Sequence, residues 1–332
     1  MGTVGEVVGA EGPAAVAAAR AGDESAFGAL AERYRPELQV HCYRMLGSLE
    51  DAEDLVQETF LRAWRRRATF EGRSSFRAWL YGIATNASLD AVARRRRRPS
   101  GASEILWLQP YPDHLLDAVA PSEDEPEAAM VSKETIELAF LTAIQHLPAT
   151  QCAALVARDV LGWSAKETAA LLETSVPAAN SALQRARATM KKRLPEHRTE
   201  WAASADPSEA ERALLQRYVD ATERDDLEGL AELMSEDARF SMPPQPGVWT
   251  GRDAVVASWA EGGFGTKEFG RLRCVLTRAN RQPAVANYLR RPGDPGFAPM
   301  ALDVLRIEDG LVAEIVTFGP ELFGAFGLPP AV

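Results

Sequence analysis

From residue 27 the apolar side chains Phe27, Leu30, Tyr34, Leu38, Cys42 and Met45 recur at helical spacing, until Gly47 and Ser48 interrupt them. A second stripe follows at i, i+3, i+4, i+7, i+8 and i+11: Ala52, Leu55, Val56, Thr59, Phe60 and Ala63. Asp51, Asp54 and Glu58 lie on another face of that helix. A third helix starts near Phe76, turns Phe76, Trp79, Leu80, Ile83, Ala87 and Ala91 inward, and runs into five consecutive arginines before Pro99. The period then stops. Pro99, Pro110, Pro112, Pro121 and Pro126 disfavour regular structure across residues 99–135.

Helical spacing resumes with Leu138, Leu141, Ile144 and Leu147, which Pro148 stops; a helix through Leu155 and Val156 then runs to Gly162. Ser164-Ala165-Lys166-Glu167 reads as a capping box opening a short helix to Leu172. The turn Glu173-Thr174-Ser175 leads to a longer helix, Pro177 to Arg193. Beyond residue 199 two helices, Ser208 to Thr222 and Leu227 to Met234, precede five alternating segments: 238–242, 272–277, 284–290, 300–307 and 311–318. The pattern predicts a multidomain chain: two all-α helical modules at 14–98 and 136–198, the second a helix-turn-helix, joined by an acidic Pro-rich linker at 99–135. An α+β domain is expected at 205–332.

Composition refines this picture little, but the order of charges refines it much. The 332-residue chain has a formal net charge of −10, which on its own argues against a phosphate-binding surface. Resolved along the chain, residues 62–98 carry +9 and 136–198 carry +3, while 1–61, 99–135 and 199–332 carry −7, −7 and −8. Two basic blocks flanking an acidic one suggest contact with nucleic acid in two places. Five adjacent arginines repel one another unless a polyanion neutralises them. Acids in the first turn of the second helix suit the helix dipole, which accounts for Asp51 and Asp54 but not for Glu58. Asp90 and Arg94 are spaced as an exposed helix pair. Cys42, Cys152 and Cys274 are isolated and read as buried reduced thiols, so neither a metal site nor a cofactor is expected. The apolar runs are too short for a membrane span, the N-terminus lacks the order of a signal peptide, and the chain reads as cytoplasmic.

The string Gly47-Ser48-Leu49-Glu50-Asp51-Ala52-Glu53-Asp54-Leu55-Val56-Gln57-Glu58-Thr59-Phe60 resembles the core-polymerase-binding helix of bacterial sigma-70 factors. Phe76-Arg77-Ala78-Trp79-Leu80-Tyr81-Gly82-Ile83-Ala84-Thr85-Asn86 resembles their −10-reading segment. With no bulky preceding domain, the chain is similar to the small extracytoplasmic-function (ECF) subgroup. The resemblance implies a partner in core RNA polymerase, through its β′ and β subunits, with Asp51, Asp54, Gln57 and Glu58 facing the clamp helices of β′. It places the −10 strand against Arg73, Ser74, Ser75, Arg77, Asn86, Arg94 and Arg95, with Trp79 in the core. The linker is either a solvated tether or a mimic of the charge of RNA.

The helix-turn-helix, with Gln184-Arg185-Ala186-Arg187, resembles the −35-reading module of the same family. The resemblance implies that Ser175, Val176, Ala178, Asn180, Ser181, Gln184, Arg185 and Arg187 meet promoter DNA. Asn180 and Ala182 stand where family members usually carry Lys or Arg, which predicts weaker backbone contact. In the tail, Tyr218-Val219-Asp220-Ala221, Trp249-Thr250-Gly251-Arg252-Asp253-Ala254-Val255 and Leu305-Arg306-Ile307-Glu308-Asp309-Gly310-Leu311-Val312 resemble the SnoaL-like polyketide-cyclase and ketosteroid-isomerase cone. A regulatory role is expected for that cone, as a holder of a small-molecule ligand or as an autoinhibitory domain. Catalysis would fall to Asp220, Asp303 or Glu314, because the tail has no histidine. The leading expectation is a sigma factor without catalytic residues. The alternatives are a DNA-binding regulator acting without polymerase and a fusion whose cone is an isomerase or cyclase.

Overall fold

The computed structural model describes residues 13–72, 75–96, 108–117, 138–193, 208–245 and 247–332. They fall into two compact units, one built mainly from residues 1–99 and 143–193, the other from 100–114, 133–142 and 194–332.

In the first unit α1 (Pro13–Ala21), α2 (Glu24–Leu46), α3 (Leu49–Arg66) and α4 (Phe76–Arg96) form a helical bundle. Each boundary has a local cause. Asp23 caps α2 by accepting from the Ala26 N–H, and Ser48 caps α3 by accepting from the Asp51 N–H. Gly47 ends α2 at φ 68°, a left-handed conformation that a side chain would strain. The expected stripes are buried: Leu30, Leu38 and Cys42 on α2, Ala52, Val56 and Ala63 on α3, Leu80 and Ala87 on α4. Helix α1 was not among the expected elements; its alanine-rich sequence carries no apolar stripe.

The remaining helices of this unit are α7 (Ala149–Leu155), α8 (Ala165–Leu171) and α9 (Val176–Arg193). Ser164 and Glu167 make the expected reciprocal capping box. The segment Val156–Val160 after α7 winds as a π-helix instead of continuing the α-helix. Tyr81 of α4 meets the Trp163 ring edge-on at 6.1 Å, so the two helical modules pack on one another.

His41 lies at the centre of the bundle, 1% exposed, with Nε2 2.8 Å from the Thr85 hydroxyl. Burial first, and then the positive charges of Arg44 and Arg77, lower its pKa to about 3. The folded protein therefore excludes a proton that the unfolded chain accepts below about pH 6.5. Its stabilising contribution is complete above pH 6.5 and is lost as pH falls toward 3, at a limiting slope of about 1.4 kcal/mol per pH unit. Chemical denaturation across that range should show the slope in wild type and a shallower one in His41→Gln. Equal slopes would contradict this assignment.

The second unit carries α10 (Glu209–Glu223), α11 (Leu227–Glu232), α12 (Arg252–Glu261) and a six-stranded sheet. The strands are β1 (Met234–Ser241), β2 (Val248–Thr250), β3 (Arg271–Ala279), β4 (Gln282–Arg290), β5 (Ala298–Glu308) and β6 (Leu311–Phe318). Their order is β2-β1-β6-β5-β4-β3; β1 and β6 run parallel and every other pair is antiparallel. Leu214, Leu215, Tyr218 and Val219 of α10 pack with Val285, Leu305, Val312 and Ile315 of the sheet. Strand β2 and helix α12 add to the expected elements. This unit also takes in residues 108–114, and α5 (Asp113–Asp117) and the Pro112–Ala279 bridge give order to a segment whose prolines had argued against it. The first five residues of helix α6 (Leu138–Gln145) also group with this unit.

Among the described residues no helix is long and apolar enough to cross a membrane. Cys42 and Cys152 are buried, and burial pushes the Cys42 thiol up to about 12. Cys274 is only half-buried, unlike the expectation for it.

Candidate functional site

Three surfaces hold the candidate residues. On α3, Asp54 and Gln57 are exposed and Asp51 and Glu58 half-buried, along one face. Arg62 donates to Glu58 at 2.7 Å, and this bond, followed by the charges of Arg62, Arg65 and Arg94, holds the Glu58 carboxyl below the usual range. The other arm of Arg62 lies 3.6 Å from Asp90, so Asp90 faces α3 instead of simply pairing along α4 with Arg94. Leu61, 52% exposed, stands one turn beyond Gln57 on the same face. An apolar side chain thus stands beside three carboxylates on that face.

The −10 candidates are placed less uniformly. Arg73 and Ser74 lie outside the described residues, as do Arg97 and Arg98. Ser75 is exposed and caps α4, accepting from the Ala78 N–H at 3.1 Å. Phe70, Phe76 and Trp79 form a ring cluster with centroids 5.3–5.6 Å apart, which puts Trp79 in the packing at the start of α4. Arg77 is engaged within the bundle: Nε donates to Glu37 at 2.8 Å, and its guanidinium lies 5.1 Å from the Tyr81 ring centre. Asn86 and Arg94 are exposed, and Arg95 lies in the last turn of α4.

The −35 candidates come together. Ser175, Val176, Ala178, Asn180, Ser181, Gln184, Arg185 and Arg187 are all exposed, while Ala179, Ala182, Leu183, Ala186 and Met190 form the buried stripe of α9. Ala182 therefore faces the core, and of the two positions lacking Lys or Arg only Asn180 stands on the exposed face. Arg187 grips Asp159 through two bonds of 2.9 and 2.5 Å, which fixes its guanidinium against the π-helical segment that follows α7.

The sheet of the second unit curls around a cavity of about 580 Å³, whose lining includes Phe240, Trp249, Trp259, Phe264 and Phe269. Its polar end is Asp303. Oδ1 accepts from Thr317 at 2.5 Å, and Oδ2 accepts from Asn287 at 2.7 Å and more weakly from Tyr218 at 3.4 Å. Burial raises the Asp303 pKa and the three donors oppose the rise; burial also holds the Tyr218 hydroxyl well above its ordinary range. Asp220 instead bonds Gln216, and Glu314 pairs with Arg306. Of the three carboxylates singled out in the sequence, Asp303 is the one that lines the cavity.

The family profile for Sigma-70 region 2 matches residues 30–98, that for Sigma-70, region 4 matches 137–190, and that for the SnoaL-like domain matches 215–315. The ECF RNA polymerase sigma factor SigG of Mycobacterium tuberculosis is 40% identical over 323 residues, covering 92% of this chain and 85% of the relative. The chain belongs to the ECF sigma factors. ECF RNA polymerase sigma factor SigW of Bacillus subtilis is 30% identical over 176 residues, 52% of this chain and 91% of that one. The crystal structure of the Mycobacterium tuberculosis ECF sigma factor SigJ shares the fold, with a TM-score of 0.58 at 24% identity, covering 89% of this chain and 97% of SigJ. This sigma factor thus combines two helical modules with a C-terminal SnoaL-like sheet domain. Leu61 was not among the expected residues because an apolar residue beside an apolar stripe reads as core; its position four residues after Gln57 and seven after Asp54, in line with the acidic face, was the available signal.

Proposed function

We propose that this sigma factor uses the α3 face of Asp51, Asp54, Gln57, Glu58 and Leu61 to bind core RNA polymerase, and the exposed face of α9 to read the −35 element. The −10 strand is assigned to Arg73, Ser74, Ser75, Asn86, Arg94 and Arg95, and to Arg77 once it exchanges Glu37 for phosphate. The working modules are 14–98 and 136–198, joined by the linker 99–135, with the cone at 205–332. The protein acts in the cytoplasm with polymerase and promoter DNA as partners. The observation that carries this reading is the presence of two unlike exposed faces on one chain: an acidic one with an apolar anchor on α3, and a polar and basic one on α9. A regulator acting without polymerase has no use for the first. In a native gel, a promoter fragment should shift with core polymerase and this protein together and not with core polymerase alone. A shift unaffected by core polymerase would favour the polymerase-independent reading.

The cone serves regulation and not turnover. Asp303 already accepts three hydrogen bonds, which suits a fixed anchor for a ligand's donor group better than a mobile general base. An aromatic, largely apolar chamber with one polar end suits a small hydrophobic molecule bearing a single donor. Binding of such a molecule should quench the fluorescence of Trp249 and Trp259, whereas a turnover signal lost in Asp303→Asn would contradict the regulatory role.

A further inference from the structure

The cavity of the C-terminal domain is electrically one-sided. Among the described residues that line it there is no Lys, Arg or His, yet two carry carboxylates, Asp303 and Glu321. Asp303 forms its polar end, and Glu321 stands exposed on the short helical turn Pro320–Leu322. Arginines of the same sheet meet other carboxylates: Arg306 Nε lies 3.0 Å from Glu314, and Arg271 Nη1 lies 2.9 Å from Asp225. A carboxylate withdrawn from water needs a counter-charge or a full set of donors. The donors to Asp303 are Thr317, Asn287 and Tyr218, all neutral. Burial opposes its charge and these donors favour it, but none of them cancels it. A carboxylate has about four acceptor positions, so three donors leave about one open.

The apolar part of the lining is a chain of touching rings. Centroids are 5.2 Å apart between Trp249 and Phe240, and 5.5 Å between Phe240 and Trp259. They are 6.4 Å apart between Trp259 and Phe264, and 5.9 Å between Phe264 and Phe269. All five rings line the cavity. The face of an aromatic ring is its negative pole, and indole attracts a cation most strongly. Such a wall buries any apolar body, and it adds an attraction for positive charge that an aliphatic wall lacks. The net charge of the domain acts in the same direction. Residues 199–332 carry −8, and a cleft of one sign concentrates ligands of the other.

We propose that this cavity is a site for an organic cation: an apolar body carrying one ammonium group, whose N–H donates to Asp303 and whose charge lies against the ring wall. This rests on the reading of the cone as a holder of a small molecule, and narrows that molecule to one charge class. The volume of about 580 Å³ fits a ligand of drug size. A tertiary ammonium meets the terms most closely. It has one N–H for the one open acceptor position, and presents carbon to everything else. A ligand bearing a carboxylate would instead lie beside Asp303 with no lining cation to neutralise either charge.

Equilibrium dialysis of the full chain against three naphthalenes of one shape separates the charge classes. The first is dimethyl(naphthylethyl)amine, protonated at neutral pH. The second is isopentylnaphthalene, in which carbon replaces the nitrogen. The third is naphthylpropanoate, an anion. The ammonium should bind about tenfold or more tightly than the neutral isostere, and the carboxylate most weakly of the three. Asp303→Asn keeps the size of the side chain and removes its charge. It should lower the affinity of the ammonium about tenfold or more, and leave that of the neutral isostere within about threefold. Where Asp303→Asn does not fold, Trp259→Leu decides: it should weaken the ammonium more than the isostere. A neutral isostere that binds wild type as tightly as the ammonium would overturn the cation class and leave the cavity a ligand holder. An ammonium preference that persists in folded Asp303→Asn would overturn the pairing with Asp303. Binding by none of the three would overturn the ligand-holding reading itself, and the cation class with it.

Discussion

Replacing Asp54 and Glu58 together by lysine is expected to abolish promoter-dependent transcription while leaving the helical bundle folded. The two side chains lie on the outer face of α3, whose buried stripe, Ala52, Leu55, Val56, Thr59 and Phe60, is untouched by the change. Each substitution reverses a charge, so the face moves by four units toward positive. At an interface selected for complementary potential, such a reversal costs both association rate and affinity. Loss of Glu58 also takes from Arg62 its 2.7 Å partner and leaves it Asp90 at 3.6 Å. Affinity for core polymerase should fall at least 100-fold, measured by fluorescence anisotropy, with an unchanged circular dichroism spectrum. Leu61→Asp should give a loss of similar size, because it removes the apolar anchor. Unchanged affinity in the double lysine variant would remove the polymerase role from this face.

The reciprocal result is expected on α9. Arg185→Glu combined with Lys191→Glu alters two exposed positions and leaves the buried stripe of Ala179, Ala182, Leu183, Ala186 and Met190 intact. Phosphate contacts contribute through counterion release, so losing about two of them lowers the slope of log K against log salt by about 2. Reversing the charges adds repulsion, and promoter affinity of the holoenzyme should fall about 100-fold or more at physiological salt. Binding to core polymerase should be unchanged. Arg187 is a poorer choice for this test, because its replacement would also release Asp159. A variant that keeps promoter affinity would move the −35 contact off this helix.

How much of this was legible in the sequence depended on the range of the interactions. Caps and stripes are local, so the ends of α2, α3 and α8 and the buried face of α9 could be read from spacing and from Ser, Asp and Gly at the right places. Helix α12 was missed because Val255 is its one fully buried apolar residue, which leaves no periodic stripe. Strand β2 has three residues, too few to show alternation. Candidate residues on regular helices, such as Asp54 on α3 and Gln184 on α9, took the exposed positions expected of them. Arg77 did not, because its partner Glu37 comes from a different helix, 40 residues earlier. The bridge of Pro112 to Ala279 was hidden for the same reason: the neighbouring Tyr111 N–H donates to Asn280 Oδ1, 169 residues away in the chain, and nothing in either local pattern announces the other. Ala182 corrected the reading in the opposite direction, since a position that looks like a lost charge is a packing position.

The central claim is that this chain confers promoter selectivity on polymerase. Run-off transcription with purified core polymerase on a promoter bound by the holoenzyme tests it most directly. The account predicts a discrete transcript with wild type, none with core polymerase alone, and none with Asp54→Lys/Glu58→Lys. A transcript of equal yield from that double variant, or no transcript from wild type on a promoter it demonstrably binds, would contradict it.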